Sequence, residues 1–318
     1  MSGDPVPLHT TPLNPAQQEV LEQLGRAPDE RPRFDPRLRH ELKADLTDAT
    51  EAVARHVSPD DPLFIAKHQL GLVHGCERRF CAEDDEPFAW SVPSARGTVT
   101  HKAIELAVNW RGEPVPGHLV DEAIESLSRD TSSIGDFLAG LGPAERAEMR
   151  AAAVEYVTKF LESFPPLRAS WRPVTESRLR LELHEGRIIA QGKVDLTLGR
   201  PDGDRAGKVI IDLKAGGFST AHREDLRFYA LLETIRVGTP PRLLVTYYLD
   251  QGTLHAEEVT VEVLHAAVRR LADGAGLMVA LRSGQRVPTT RPGPACRWCV
   301  ALDDCDDGRR HLADTDEP

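Results

Sequence analysis

The clearest chemistry in this 318-residue chain lies in the run Val209, Ile210, Ile211, Asp212, Leu213, Lys214, Ala215, Gly216. It reads as an apolar strand ending in a carboxylate and an amine. Side chains alternate across a strand, so Asp212 and Lys214 share one face and Leu213 takes the other. A carboxylate beside an ammonium at the end of a buried strand can hold a metal ion and a water; the plainer alternative is an ion pair at the surface. A second strand-like run, 187–198, is joined to the first by the turn cluster Gly199, Arg200, Pro201, Asp202, Gly203, Asp204. Folding the two about Gly203 sets Asp195 opposite Asp212, with Cβ atoms about 5 Å apart. Carboxylates that close repel unless a proton or a cation lies between them. Mg²⁺ or Mn²⁺, hard ions that prefer oxygen, would satisfy both. Lys214 would then stand beside a metal-bound water, where its charge favours deprotonation and stabilises the transition state of phosphodiester hydrolysis.

Cysteine spacing provides a second constellation. Cys296, Cys299 and Cys305 follow Pro292, Gly293 and Pro294, and three thiols in such a cluster need a fourth from Cys76 or Cys81 far upstream. The chain starts without a basic segment or an apolar core, so a cytoplasmic location is expected. There, cysteines point to metal chemistry more than to disulfides.

These groups must be positioned by the elements around them. A helical run over 65–80 leads into Cys76, and Gly97-Thr98 opens a helix over 99–110 on which His101 and Glu105 share a face. Residues 117–164 read as a helical block with breaks at 132–135 and 140–143. The period then changes to that of strands at 174–183 and 187–198. After the Asp212 strand come a helix over 222–235, a strand over 243–249, a hairpin turn at Asp250-Gln251-Gly252, a strand to Thr260 and a helix over 263–281. The expected organisation is a partly ordered helical arm over 1–60, a single α/β domain over 61–310 with a helical insertion at about 111–165, and an acidic tail over 311–318. Leu13-Asn14-Pro15-Ala16-Gln17-Gln18 echoes the opening of superfamily 1 helicases, but no phosphate-binding loop follows, which excludes a motor. No apolar run is long enough to span a membrane. The net charge of −11 argues against a polyanionic partner until it is divided. Residues 1–60 carry 11 acids against 7 bases and residues 303–318 carry 7 against 2, so the middle is only slightly acidic and leaves room for a basic groove.

Gly192-Lys193-Val194-Asp195, Ile211-Asp212-Leu213-Lys214-Ala215-Gly216 and the helix bearing Tyr229 resemble the RecB-type PD-(D/E)xK nucleases, particularly the AddB-type branch that includes CRISPR-adaptation nucleases. The resemblance runs over 65–305 and implies a restriction-endonuclease-like core, a central mixed β-sheet flanked by helices. It also implies a metal site of His101, Asp195, Asp212 and the Leu213 carbonyl, with Lys214 as catalytic lysine. Tyr229 matches the tyrosine of a Gln-x-x-x-Tyr pair whose glutamine is replaced here by Asp225, and Glu176 falls where such enzymes often carry an acid. Cys76-Glu77-Arg78-Arg79-Phe80 matches a Cys-Pro-Arg-Arg-Phe-like stretch with Glu for Pro. That match implies a 4Fe-4S iron–sulfur cluster on Cys76, Cys296, Cys299 and Cys305, with Cys81 spare and structural Zn²⁺ as the alternative. The implied function is Mg²⁺- or Mn²⁺-dependent cleavage of DNA, as single strands or ends, in repair, recombination or defence. A helicase or CRISPR-adaptation proteins are the implied partners. The rival is a DNA-binding scaffold that has lost catalysis, which the missing glutamine and the acidic charge favour and the intact Asp-x-Lys opposes.

Overall fold

A computed structural model describes residues 12–84, 86–129 and 133–316. In chain order its elements are α1 (Pro15–Leu24), α2 (Leu38–Ala54), β1 (Leu63–Ile65), α3 (Lys67–Gly75), α4 (Glu77–Asp84) and α5 (Val92–Val108). Next come α6 (Pro116–Arg129), α7 (Ser133–Gly140), α8 (Pro143–Ser163), β2 (Val174–Leu183), β3 (Ile188–Leu198) and β4 (Val209–Lys214). The chain closes with α9 (Ala221–Val237), β5 (Leu243–Tyr248), β6 (Thr253–Glu258), α10 (Val261–Arg282) and α11 (Asp306–Asp316). Local chemistry accounts for the boundaries that matter. Ser91 caps α5 by accepting from the Ser94 N–H, and a proline follows in the first turn. Gly238, with φ of 101°, ends α9 in the left-handed conformation that favours glycine.

The fold is mixed α/β, a central mixed sheet flanked by helices, as the resemblance implied. Two hydrophobic clusters cover the sheet. One joins α2, α3, α9 and α10 to Ile188, Ala190, Val194 and Ile210. The other joins α5, α6 and α8 to Leu196, Leu198, Val209, Ile211 and Leu213. Strand alternation holds along β4, where Ile210 faces one layer and Ile211 and Leu213 the other. It fails along β3. Val194 and Leu196 have the same parity yet enter different layers, so the strand turns its faces over at Asp195.

The sheet forks at that same point. One side of β3 pairs with β2 in antiparallel fashion, from Val174↔Thr197 to Leu183↔Ile188. The other side is shared. β1 lies parallel to β3 at Ile188–Ala190, and β4 lies antiparallel to it at Leu196–Leu198. Because β1 runs with β3 and β4 runs against it, the two strands approach head-on. Both C-terminal ends open into the gap beside residues 191–195 of β3. Beyond the fork β4 keeps β5 as its parallel neighbour through Lys214↔Tyr248, and β6 forms the edge.

The stretch expected as an appended arm contributes directly to the core. Leu38, Leu42, Leu46, Thr50 and Ala54 of α2 are buried at a helical spacing, and α2 packs on α9 and α10. The insertion folds as α6, α7 and α8, with α6 and α8 packed on α5. Residues 311–316 of the expected tail belong to α11, and residues 1–11, 85, 130–132 and 317–318 lie outside the described set.

Candidate active site and cysteine corner

His101, Glu176 and Asp195 each present a ligand atom to one place, and these atoms lie within 4.8 Å of one another. They arrive from α5, β2 and β3. Asp195 Oδ2 accepts the Leu213 N–H at 2.8 Å, and His101 Nδ1 stands 3.3 Å from Asp195 Oδ1. His101 Nε2 is 3.0 Å from the Leu213 carbonyl. Both ring nitrogens therefore face acceptors, which a protonated imidazole satisfies. Burial pulls the His101 pKa down, but the Asp195 carboxylate, reinforced by Asp212 and Glu176, outweighs it and the net shift is upward. Glu176 has φ of 54°, and among the described residues it is the only strand member other than glycine with a positive φ. In register it faces Asp195 without a bridge, since the ladder passes from Thr175↔Leu196 to Ser177↔Val194. A side chain held in the left-handed region inside a strand stores strain, and here the strained residue is one of the three clustered ligands. Lys193 pairs with Glu176 at the rim.

Asp212 has different company. The β3–β4 register runs Leu198↔Val209 to Leu196↔Ile211, so its next step would be Asp195↔Asp212, and the ladder stops there. Asp212 is 1% exposed, with Lys67 Nζ donating to Oδ1 at 2.7 Å and Lys214 Nζ 2.8 Å from Oδ2. Each buried oxygen thus has its own ammonium, Oδ1 that of Lys67 and Oδ2 that of Lys214. Burial alone would push the Asp212 carboxyl up; the ammonium groups of Lys67 and Lys214 outweigh that and hold it well below the usual carboxylate range. Burial would likewise lower Lys67, and Asp212 outweighs it in the other direction. Asp225 Oδ2 lies 3.5 Å from Lys214 and 3.9 Å from Lys67.

Tyr229 is buried beneath this cluster. A Cβ at Gly192 would sit 2.5 Å from its ring, so glycine is required there for the helix to lie close to β3. Lys67 Nζ is 5.0 Å from the ring centroid, within cation–π range. Burial raises the Tyr229 phenol to about 12, so it stays protonated at neutral pH.

Of the residues singled out from sequence, the structure brings His101, Asp195 and the Leu213 carbonyl together on one side of the fork. It gathers Asp212, Lys214 and Asp225 on the other. Lys67 had not been recognised. Its one sequence signal is the apolar triplet Leu63-Phe64-Ile65 after Asp60-Asp61-Pro62, a short strand whose C-terminal end must point somewhere. A donor set of three carboxylates, an imidazole and a carbonyl suits a hard divalent cation.

The loop after Lys214 carries Phe218, which is 57% exposed. Its ring centroid is 4.9 Å from that of His255 and 6.1 Å from that of Tyr248. Tyr248 in turn meets His222 Nδ1 at 3.0 Å through its hydroxyl. Burial, followed by the nearby Lys214 charge, lowers the His222 pKa and favours the neutral ring.

Cys76, Cys296, Cys299 and Cys305 all line one cavity of 610 Å³. The same cavity reaches Lys67, Lys214 and Asp225. Cys81 instead packs against the core cluster. Three of the thiols receive backbone N–H groups at 3.4 Å: Cys76 from Arg291, Cys296 from Gly293 and Cys305 from Gly308. A Cβ on Gly308 would lie 3.4 Å from the Cys305 sulfur and 3.6 Å from that of Cys296. Polar contacts pin the segment to the α3–α4 corner. The buried Glu77 carboxylate accepts from Arg286 Nε at 3.0 Å and from the Thr289 N–H at 2.9 Å. Arg78 reaches the Asp304 carbonyl at 2.7 Å, and Arg291 reaches that of His74 at 2.8 Å. Glu77, the residue that departs from the Pro of the similar stretch, is thus the centre of this latch. Arg286 and the Thr289 N–H hold its carboxyl at about 2.

No protein-family model matches the chain. No curated protein matches it either. Among solved structures it is similar to one named "putative exonuclease" from Eubacterium rectale, at 12% identity and a TM-score of 0.43, covering 78% of this chain and 87% of that one. It is also similar to a protein named SSO0001, at 14% identity and a TM-score of 0.37, covering 85% and 97% respectively. No helix in the described residues is long and apolar enough to cross a membrane.

Proposed function

We propose that this protein is a divalent-metal-dependent nuclease that hydrolyses phosphodiester bonds of DNA, in single strands or at ends. The observation that carries the reading is the convergence, at one fork in the sheet, of the ligand cluster His101, Glu176 and Asp195 with the Asp212–Lys214 pair. A bound Mg²⁺ or Mn²⁺ would polarise a phosphoryl oxygen and lower the pKa of a water. His101, Glu176, Asp195, the Leu213 carbonyl and Asp212 Oδ2 would hold that ion. Lys214 carries its ammonium at the cavity wall, where it can donate to the attacking water or to a phosphate oxygen as charge develops. The water oxygen bonds to phosphorus and loses a proton to solvent, one P–O ester bond breaks, and the leaving sugar oxygen takes a proton from solvent to depart as a hydroxyl. Tyr229, protonated and buried, packs on Gly192 and sets the distance between α9 and β3. The exposed Phe218 ring, on the loop that follows Lys214, supports a single strand as substrate, because an unpaired base can stack where a duplex base cannot.

The cysteine corner supports a 4Fe-4S cluster on Cys76, Cys296, Cys299 and Cys305. All four thiols line one cavity, and structural Zn²⁺ on the same thiols is the alternative that elemental analysis separates.

The test is cleavage of labelled linear single- and double-stranded DNA by the purified chain with and without Mn²⁺. Metal-dependent cutting that falls at least about 100-fold in Asp212→Ala is the expected result. Absence of cutting, or equal cutting by the variant, overturns the reading.

A further inference from the structure

Asp212 is the most buried carboxylate of the site, and two ammonium groups already flank it. Lys214 belongs to its own strand. Lys67 comes from the first turn of α3, brought in by the three-residue strand β1 that meets β4 head-on across the fork. Its 2.7 Å hydrogen bond to Oδ1 is well inside charge-assisted range, and its side chain is only 25% exposed. Tyr229 lies against it on one side and Asp225 on the other, so the ammonium has a built seat.

From this geometry we propose that Lys67 is a resident counter-cation, a positioning residue that takes the place of a second divalent ion and restricts the site to one. The inference rests on the metal-dependent reading above. Four carboxylates meet here: Glu176, Asp195, Asp212 and Asp225. Lys67 and Lys214 offset two of them; with His101 neutral, as a metal ligand must be, and Lys193 exposed at the rim, Glu176 and Asp195 leave the charge that one divalent ion neutralises. The exposed Lys193 at the rim only strengthens the case against a second ion. The ligand cluster on the Asp195 side receives the single ion. Asp212 gives Oδ1 to Lys67, and its Oδ2, paired with Lys214 at 2.8 Å, would be shared with that ion. Without Lys67, Asp212 and Asp225 would face each other with only Lys214 between them, an arrangement that favours a second cation.

Mn²⁺ binding to the full chain, followed by electron paramagnetic resonance of free ion and by calorimetry, tests this without reference to cutting. The wild type should bind one Mn²⁺ per chain, Lys67→Gln two, and Lys67→Arg one, because arginine restores the charge. Circular dichroism and thermal melting of each variant separate a changed site from a lost fold. If Lys67→Gln does not fold, Lys67→Met is titrated in its place with the same two-ion expectation. Two ions in the wild type, or one in a folded charge-removing variant, overturns the proposal. No Mn²⁺ binding by the wild type overturns it together with the metal-dependent reading. One ion without DNA cleavage removes the nuclease reading and leaves Lys67 in its role.

Discussion

The fork in the sheet and the cysteine corner line the same cavity, yet they are built on opposite plans. At the fork every charged group is answered by another charged side chain: Asp212 by Lys67 and Lys214, Asp195 by His101, Glu176 by Lys193. The site is complete as a set of ion pairs before any metal arrives. At the corner three of the thiols receive backbone N–H groups at 3.4 Å, and Trp298 and Val300 between them are 74% and 61% exposed. What holds the segment is a latch beside the thiols, centred on Glu77. On the proposed reading, a metal would enter the fork with its ion pairs already made, whereas a cluster would complete the corner. Buried charges left unpaired are costly, so the core supplies its own counter-ions, whereas a surface segment can leave its thiols waiting.

The largest expected effect breaks this contrast most directly. Replacing Cys296 with Ser should remove iron and visible absorbance and lower Tm by about 5 °C or more, while stripping divalent ions from the wild type should shift Tm by much less. Elemental analysis and thermal melting decide it, and equal shifts would show that the fork also depends on its metal for stability. A smaller effect sharpens the account of the latch. Glu77→Gln should cost about 1–3 kcal/mol in chemical denaturation at neutral pH. The Glu77 carboxyl is held at about 2 in the folded chain against an ordinary 4.5, so its stabilisation is complete above the ordinary value and fades as pH falls toward 2. The gap between wild type and Glu77→Gln should close over that window; a gap constant with pH would mean that the Arg286 pairing contributes nothing. The smallest effect concerns the fork's mouth. Phe218→Ala should raise KM about fivefold for single-stranded DNA and leave kcat unchanged, and an equal change on duplex ends would deny Phe218 a stacking role.

The parts of the site legible in the sequence are those set by local pairing. Asp195 and Asp212 could be matched because a hairpin's register follows from its turn, and the ladder Leu196↔Ile211 lies on the register centred near Gly203. His101 and the cysteines were marked by spacing and resemblance. Lys67 was not legible, because a three-residue strand has no period to read and its parallel pairing with β3 joins residues more than a hundred positions apart. Glu176 was flagged as an acid on a strand, but its left-handed backbone and its grouping with His101 come from the turning-over of β2 and β3, a tertiary effect that alternation cannot express. The packing of α2 was missed for a related reason: a strongly polar outer face hid a stripe of Leu38, Leu42 and Leu46 that α9 and α10 cover.

The fork makes β3 a ruler. β1 is read off it at Ala190 and β4 at Leu196, and the residues between set how far apart the two head-on strands end. On its other side the same interval carries the β2 ladder through Arg180↔Gln191 to Ser177↔Val194, so adding or removing a residue there would disturb that ladder and shift the ends of β1 and β4, and with them Lys67 and Asp212, relative to each other. The number of residues in this interval, as much as their identity, spaces the site.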